Sequence, residues 1–257
     1  MCENIKVSIV TPIYNDAKYV SETVRSVLNQ THKNFELIII DDYSNDGSID
    51  IVNSFNDSRI KIIRNEGNKG PAFCRNVGIK TAIGDYIAFL DGDDLWLEDK
   101  LEKQLEFMIS NNYVFCCTKY GTIDENGKDL KKYVYAPKVI THKTMIRCSY
   151  VGCLTVMYKR DIHPELEIPN NITKRNDYAL WLKLSECANC YFYNETTAFY
   201  RKHQKNHVSS GRKTKLIKYH TDMFMKLYGF KRMKAERYAI RNAFYYFLKK
   251  IRFVKNK

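Results

Sequence analysis

Three aspartates fall within four residues, Asp91, Asp93 and Asp94, directly after the apolar run IAFL and directly before Leu95-Trp96. Carboxylates at this spacing repel one another and need a positive partner. A hard divalent cation, Mg2+ or Mn2+, takes one or two protein carboxylates and fills its shell with water and phosphate oxygens. Such an ion would hold a diphosphate and stabilise its charge as it leaves. Two further polar clusters also follow apolar runs: Thr11-Pro12-Ile13-Tyr14-Asn15 after VSIV, and Asp41-Asp42 after FELIII. Any one of them is ordinary turn chemistry, since Asp and Asn favour loops. Three in equivalent places point to one site. The patterns GxxxxGK[ST] and a post-strand GxGxxG are absent, so ATP hydrolysis and NAD chemistry lack their usual sequence support.

The elements that must position these clusters alternate strand and helix. VSIVTP, FELIII, RIKII and DYIAFL read as strands. Between them lie helical spacings at Val20, Val24, Val27 and Leu28, over IDIVNSF, and from the glycine-rich loop NEGNKGPA through Ile79 and Ala82. Leu97, Leu101, Leu105 and Met108 mark a further helix. This order predicts an α/β fold, a mostly parallel sheet with helices on both faces. In such a sheet ligands bind outside the carboxyl ends of the strands, where the three clusters fall. Beyond Asn112 the pattern predicts a strand over YVFCCTKY, a hairpin turn at DENGK, a helix from Lys143 to Tyr150 and a strand over CLTVMYK. A helix over 176–186 opens with Asn176-Asp177 in capping position, and YFYNETTAFYRKH is extended.

The chain has 257 residues and 44% hydrophobic residues, ample for a core. No apolar run approaches the roughly 20 residues that span a bilayer, and the first residues do not read as a secretory signal. Eight irregularly spaced cysteines fit a reduced, cytoplasmic chain. Cys187-x-x-Cys190 lacks the second pair a zinc site needs, so buried thiols are the simpler expectation. The net charge of +13 is concentrated: residues 212–257 hold 15 Lys and Arg against two acidic residues. The preceding 211 residues are neutral. In this tail Leu216, His220, Met223 and Leu227 line one helix, and Gly229 ends it. Met233, Ile240, Phe244, Phe247 and Ile251 line a second, with Lys234, Arg237, Arg241 and Lys249 on other faces.

The segments VSIVTPIYNDAKYVSETVRSVLNQTHKNFELIIIDDYSNDGS and NKGPAFCRNVGIKTAIGDYIAFLDGDDLW closely resemble the family 2 glycosyltransferases of the GT-A, Rossmann-like fold. The resemblance is nearly continuous over 5–110 and resumes at KRNDYALWLKL. It implies transfer of a sugar from a nucleotide diphosphate donor, generally with inversion and with Mn2+ or Mg2+. It implies that Pro12, Tyr14 and Asp42 hold the nucleobase and that Arg75 lies beside the donor pocket. Asp91 and Asp93 match the DxD motif, whose carboxylates hold the metal and the donor ribose. Asp177 matches the catalytic base, and the preceding position is Asn176 where the family usually has Glu. Trp181 is a candidate acceptor contact. His203, Arg201 and Lys202 are candidate diphosphate or metal contacts.

The chain then divides into a nucleotide-sugar-binding half over 1–110, an acceptor-binding and catalytic-base half over 111–211, and a basic helical tail over 212–257. The expected donor is a UDP-hexose. The expected acceptor is a bacterial surface glycan, lipopolysaccharide or a lipid-linked O-antigen unit. The tail could simply pack on the domain, but its concentrated charge favours a peripheral position on the inner face of the cytoplasmic membrane, near anionic headgroups. Two other classes compete. A nucleotidyl or phosphoryl transferase would use the same aspartates but leaves Asp177 unexplained. A nucleic-acid-binding protein would use the basic tail, but the neutral first 211 residues and the lack of a recognisable motif speak against nucleic acid as a partner.

Overall fold

The computed structural model describes residues 3–203 and 213–256. Cys2, Lys257 and the boundary placed between 211 and 212 lie outside them. The first half runs β1 (Val7–Ile13), α1 (Val20–Leu28), β2 (Phe35–Asp41), α2 (Ser48–Asn53), β3 (Ile60–Arg64), α3 (Pro71–Thr81), β4 (Tyr86–Phe89), β5 (Leu95–Trp96) and α4 (Lys100–Ser110). β3, β2, β1 and β4 form a parallel sheet in that order. Its two central strands are buried along their length apart from part of Pro12, because helices cover both faces. Val10, Ile38 and Ile40 pack on the α3 side, and Ile9, Leu37 and Ile39 on the α1 and α4 side.

The second half continues with β6 (Phe115–Ile123), β7 (Asp129–Val134), β8 (Val139–Ile140), α5 (His142–Arg147), β9 (Met157–Lys159), α6 (Asn176–Cys187), β10 (Cys190–Arg201), α7 (Lys213–Tyr228), α8 (Arg232–Arg252) and β11 (Val254–Asn256). β9 joins β4 to β6, antiparallel to both, so antiparallel pairings dominate here. β10 lies parallel to β6 and antiparallel to β5, so its end Arg201 meets the Asp93-Asp94 loop. β11 pairs with β7, which ties the chain's end to the sheet.

Three local expectations change. CLTVMYK is not one strand: Cys153–Thr155 forms a single 3-10 turn, closed by Thr155 Oγ1 donating to the Gly152 carbonyl at 2.7 Å, and only Met157–Lys159 is extended. Leu97 precedes α4, and its N–H donates to the Thr197 carbonyl. α6 has Arg175 at its N-cap, with φ +64°, while Asn176 and Asp177 already lie in the first turn. Asp177 therefore does not cap its helix.

The tail forms two helices, and Gly229 at φ +64° ends the first as a glycine can without strain. In α7 the inward residues include His220, Met223 and Phe224. α8 packs inward through Ala235, Ala239, Asn242 and Lys249. Its apolar stripe, Met233, Ile240, Phe244, Phe247 and Ile251, is 56–71% exposed.

Candidate active site

The three clusters and Asp177 line one cavity of about 650 Å3. Pro12, Tyr14 and Asp16 enter it from the end of β1, Asp42 from the end of β2, and Asp91 to Asp94 from the end of β4. α6 contributes Arg175, Asn176 and Asp177 from its N-terminal end. The tail closes the far side with Tyr219, His220, Tyr246 and Lys249, which the sequence patterns did not place there. A second cavity of about 800 Å3, among Phe107, Tyr113, Tyr135, Tyr191 and Arg252, holds Glu195 as its sole carboxylate.

The three crowded aspartates face three ways. Asp91 accepts a hydrogen bond from Arg75 Nη2, whose other terminal nitrogen donates to Asn176 Oδ1. Arg75 is 5% exposed, so this ion pair joins α3, the β4 edge and α6 beneath the cavity. Asp94 turns inward, is 1% exposed, and accepts from the Arg201 N–H at 2.9 Å. Asp93 is left toward the cavity, with Oδ2 at 2.7 Å from His203 Nε2. Burial pushes the Asp91 carboxyl above the usual range, aided by Asp93 and Asp177 and opposed by Arg75. Burial, then Asp93 and Asp91, push Asp94 up strongly. Gly92 permits the crowding: a Cβ there would stand 2.6 Å from Asp16 Oδ2. The Asp16 carboxyl, chiefly through burial, is raised to about 7.

Asp42 is 4% exposed and accepts from Asn65 Nδ2, the Lys69 N–H and the Gly70 N–H, all at 2.8 Å. It holds the glycine-rich loop against the sheet edge. The Cys74 thiol also hydrogen-bonds to this carboxylate. Tyr14 is 50% exposed and offers a ring face at the cavity mouth. Asn15, at φ +54°, turns the chain there, and its N–H donates to Ser44 Oγ.

Two expected contacts are elsewhere. Trp181 is fully buried, packed edge-to-face on Phe89 with centroids 5.3 Å apart, so it is core and cannot touch an acceptor. Arg201 is also fully buried. Its guanidinium donates to the Asp93 and Glu125 carbonyls and to Glu22 Oε2 at 2.6 Å. It fastens the acidic loop from behind and has no route to a diphosphate. Lys202 is part-exposed, with its N–H donating to the Ile123 carbonyl, and does not line the cavity. His203 stays at the loop, its ring edge-on to Tyr19 with centroids 4.9 Å apart. The seven described cysteines are free thiols. Cys190 is buried as expected, whereas Cys187 is exposed and departs from the expectation of a buried thiol.

The donor set suits a divalent cation. Among the described residues no cluster of three or more His, Cys, Asp and Glu is arranged as a metal cage. Asp93 with the neighbouring His203 supplies an oxygen and a nitrogen donor, which matches an ion that completes its shell with water and phosphate.

An open α/β sheet with carboxylates gathered at the carboxyl ends of its strands, closed by the N-terminal end of α6, is the architecture of a GT-A transferase. The family model described as "Glycosyl transferase family 2" matches residues 8–166, and the chain belongs to that family. It is a glycosyltransferase. It is 42% identical over 198 residues to the putative teichuronic acid biosynthesis glycosyltransferase TuaG of Bacillus subtilis, covering 76% of this chain and 78% of that protein. It is 41% identical over 178 residues to the UDP-Glc:alpha-D-GlcNAc-diphosphoundecaprenol beta-1,3-glucosyltransferase WfgD of Escherichia coli, covering 69% of each. The crystal structure of S. aureus TarS 1-349 in complex with UDP superposes with a TM-score of 0.67 at 19% identity, over 91% of this chain and 70% of that one. This last likeness establishes the shared fold.

Proposed function

We propose that the protein is an inverting, metal-assisted hexosyltransferase that moves a sugar from a UDP-linked donor to a lipid-diphosphate-linked saccharide of a bacterial surface glycan. The observation that carries this is that Asp91, Asp93, Asp94 and Asp177 line one cavity. The similarity to TuaG, a putative teichuronic acid biosynthesis enzyme, and to WfgD, which uses UDP-Glc and a GlcNAc-diphosphoundecaprenol acceptor, supports this reading.

In this reading Tyr14 stacks on the nucleobase beside Pro12, and Asp42 accepts from a base N–H. Asp91 addresses the ribose, and Asp93 with His203 holds Mn2+ or Mg2+. The metal supplies charge stabilisation for the departing diphosphate. Arg75 keeps Asp91 in place and Asn176 aligned. Because Asn176 is neutral, Asp177 is the remaining carboxylate of that pair. It accepts the proton of the acceptor hydroxyl as that oxygen attacks the anomeric carbon opposite the leaving diphosphate.

The exposed stripe of α8 supports contact with a membrane surface. It is flanked by the exposed Lys234, Arg237, Arg241, Lys250 and Arg252. Apolar side chains between basic ones suit an anionic bilayer interface. No helix among the described residues is long and apolar enough to cross a membrane. The protein would then work at the inner face of the cytoplasmic membrane.

A donor screen tests the proposal. UDP release is measured over a panel of nucleotide sugars with Mn2+, with and without a short polyprenyl-diphosphate-linked N-acetylglucosamine. Acceptor-stimulated release from one UDP-hexose is the expected result. Release of nucleoside monophosphate with no sugar transfer would favour a phosphoryl or nucleotidyl transferase instead.

A further inference from the structure

The part of the cavity lined by α6, α7 and α8 carries basic residues. Lys249 of α8 is 9% exposed and lines the cavity, and its ammonium donates to the Ser149 carbonyl at 2.8 Å. An ammonium carries three donors, so two remain. Arg175 and Lys174 line the same wall at the N-terminal end of α6, next to Asp177. Neither Arg175 nor Lys249 has an acidic side chain within ion-pair distance among the described residues. His220 of α7, 3% exposed and lining the cavity, has an Nδ1 with no hydrogen-bond partner among the described residues.

We infer that Lys249, Arg175 and Lys174 form an anion subsite that receives the phosphate groups of the acceptor, with His220 Nδ1 as a further polar contact. A buried ammonium with one carbonyl partner is poorly compensated, and an anion placed against it offsets that cost. Burial also draws the Lys249 ammonium below its ordinary range, which a bound phosphate would reverse. The subsite adjoins Asp177, so a phosphate held there leaves the attached sugar within reach of the base. α8 ties the wall to the exposed stripe: Lys249 faces the cavity while Phe247 and Ile251, two residues to either side, face outward. A lipid leaving the phosphate toward that stripe would enter a membrane. The inference rests on the acceptor proposed above.

The test uses the full-length protein saturated with UDP and Mg2+, so that the donor side is filled. Inorganic pyrophosphate is titrated by calorimetry into wild type, Arg175→Gly, Lys249→Met and Lys249→Arg. Glycine suits the φ of +64° at Arg175, so that variant loses the charge without backbone strain. Wild type and Lys249→Arg are expected to bind pyrophosphate, with Arg175→Gly and Lys249→Met at least tenfold weaker and UDP affinity within twofold throughout. In transfer assays the same two variants should raise KM for the diphosphate-linked acceptor at least tenfold and leave an octyl N-acetylglucosaminide unchanged. No pyrophosphate binding by wild type, or equal binding by wild type and Arg175→Gly, would overturn the subsite. Pyrophosphate binding without transfer to either acceptor would uphold the subsite and overturn the acceptor assignment.

Discussion

The two walls of the cavity differ in charge and in origin. One is the carboxyl edge of the parallel sheet, where Asp16, Asp42, Asp91, Asp93 and Asp94 converge. The other comes from the start of α6 and the inner faces of α7 and α8, and carries Lys174, Arg175 and Lys249. On the acidic wall every carboxylate but Asp16 and Asp93 is tied down by Arg75, Arg201 or backbone N–H groups of the glycine-rich loop. On the basic wall the cations have few partners. In the proposed function the acidic wall holds a cation and the nucleotide it carries. The basic wall has charge left for a second anion. Asp177 stands where they meet.

Breaking the acidic wall should have the largest effect. Arg75→Met removes two hydrogen bonds from a charged donor, one to the part-exposed Asp91 carboxylate and one to Asn176 Oδ1, each worth about 1.5–3 kcal/mol. Denaturant titration checks this; a midpoint close to wild type would mean that the Arg75–Asp91–Asn176 link is dispensable. Next comes Asp93→Ala, which should lower metal-supported UDP affinity by about 3 kcal/mol, roughly two orders of magnitude. Calorimetry with and without Mn2+ checks it, and an unchanged metal dependence would remove Asp93 from the metal site.

Asp16 gives a smaller, pH-dependent effect. Its carboxyl is raised to about 7 from 3.8, so the folded state binds more protons than the unfolded chain between those values. Stability of the metal-free protein therefore falls as pH rises from about 4 through about 7. Asp16→Asn should flatten that fall between pH 5 and 8. Parallel pH profiles for variant and wild type would contradict it. The smallest effect is at the exposed apolar stripe of α8. Each basic residue near an anionic surface contributes about 1 kcal/mol, so Arg241→Gln should weaken binding to phosphatidylserine-containing vesicles about fivefold. Deleting the tail is not a clean alternative, since α7 and α8 close the cavity.

Much of the acidic wall was legible in the sequence, because each cluster follows a short apolar run and sheet topology brings such ends together. The spacing Asp91-Gly-Asp93-Asp94 was visible, but not that the three side chains diverge. That depends on Arg75 and Arg201, which arrive from α3 and from the end of β10, 16 and 107 or more positions away. Trp181 and Arg201 looked functional from their types and neighbours, and burial made them structural. The basic wall was hidden for the opposite reason. The apolar stripe of α8 suggested its packing face, whereas the small residues Ala235 and Ala239 pack inward with Asn242 and Lys249. That spacing, small residues at i and i+4 continuing to Asn and Lys on one face, was the signal available.

In the proposed reaction Asp177 is the base between the two walls. Asp177→Asn keeps the shape of the side chain and removes its capacity to take a proton. With the preferred UDP-sugar, Mn2+ and the diphosphate-linked acceptor, the variant should bind UDP as wild type does while kcat for transfer falls about 10²–10⁴-fold. An Asp177→Asn enzyme that transfers sugar at the wild-type rate would contradict the account.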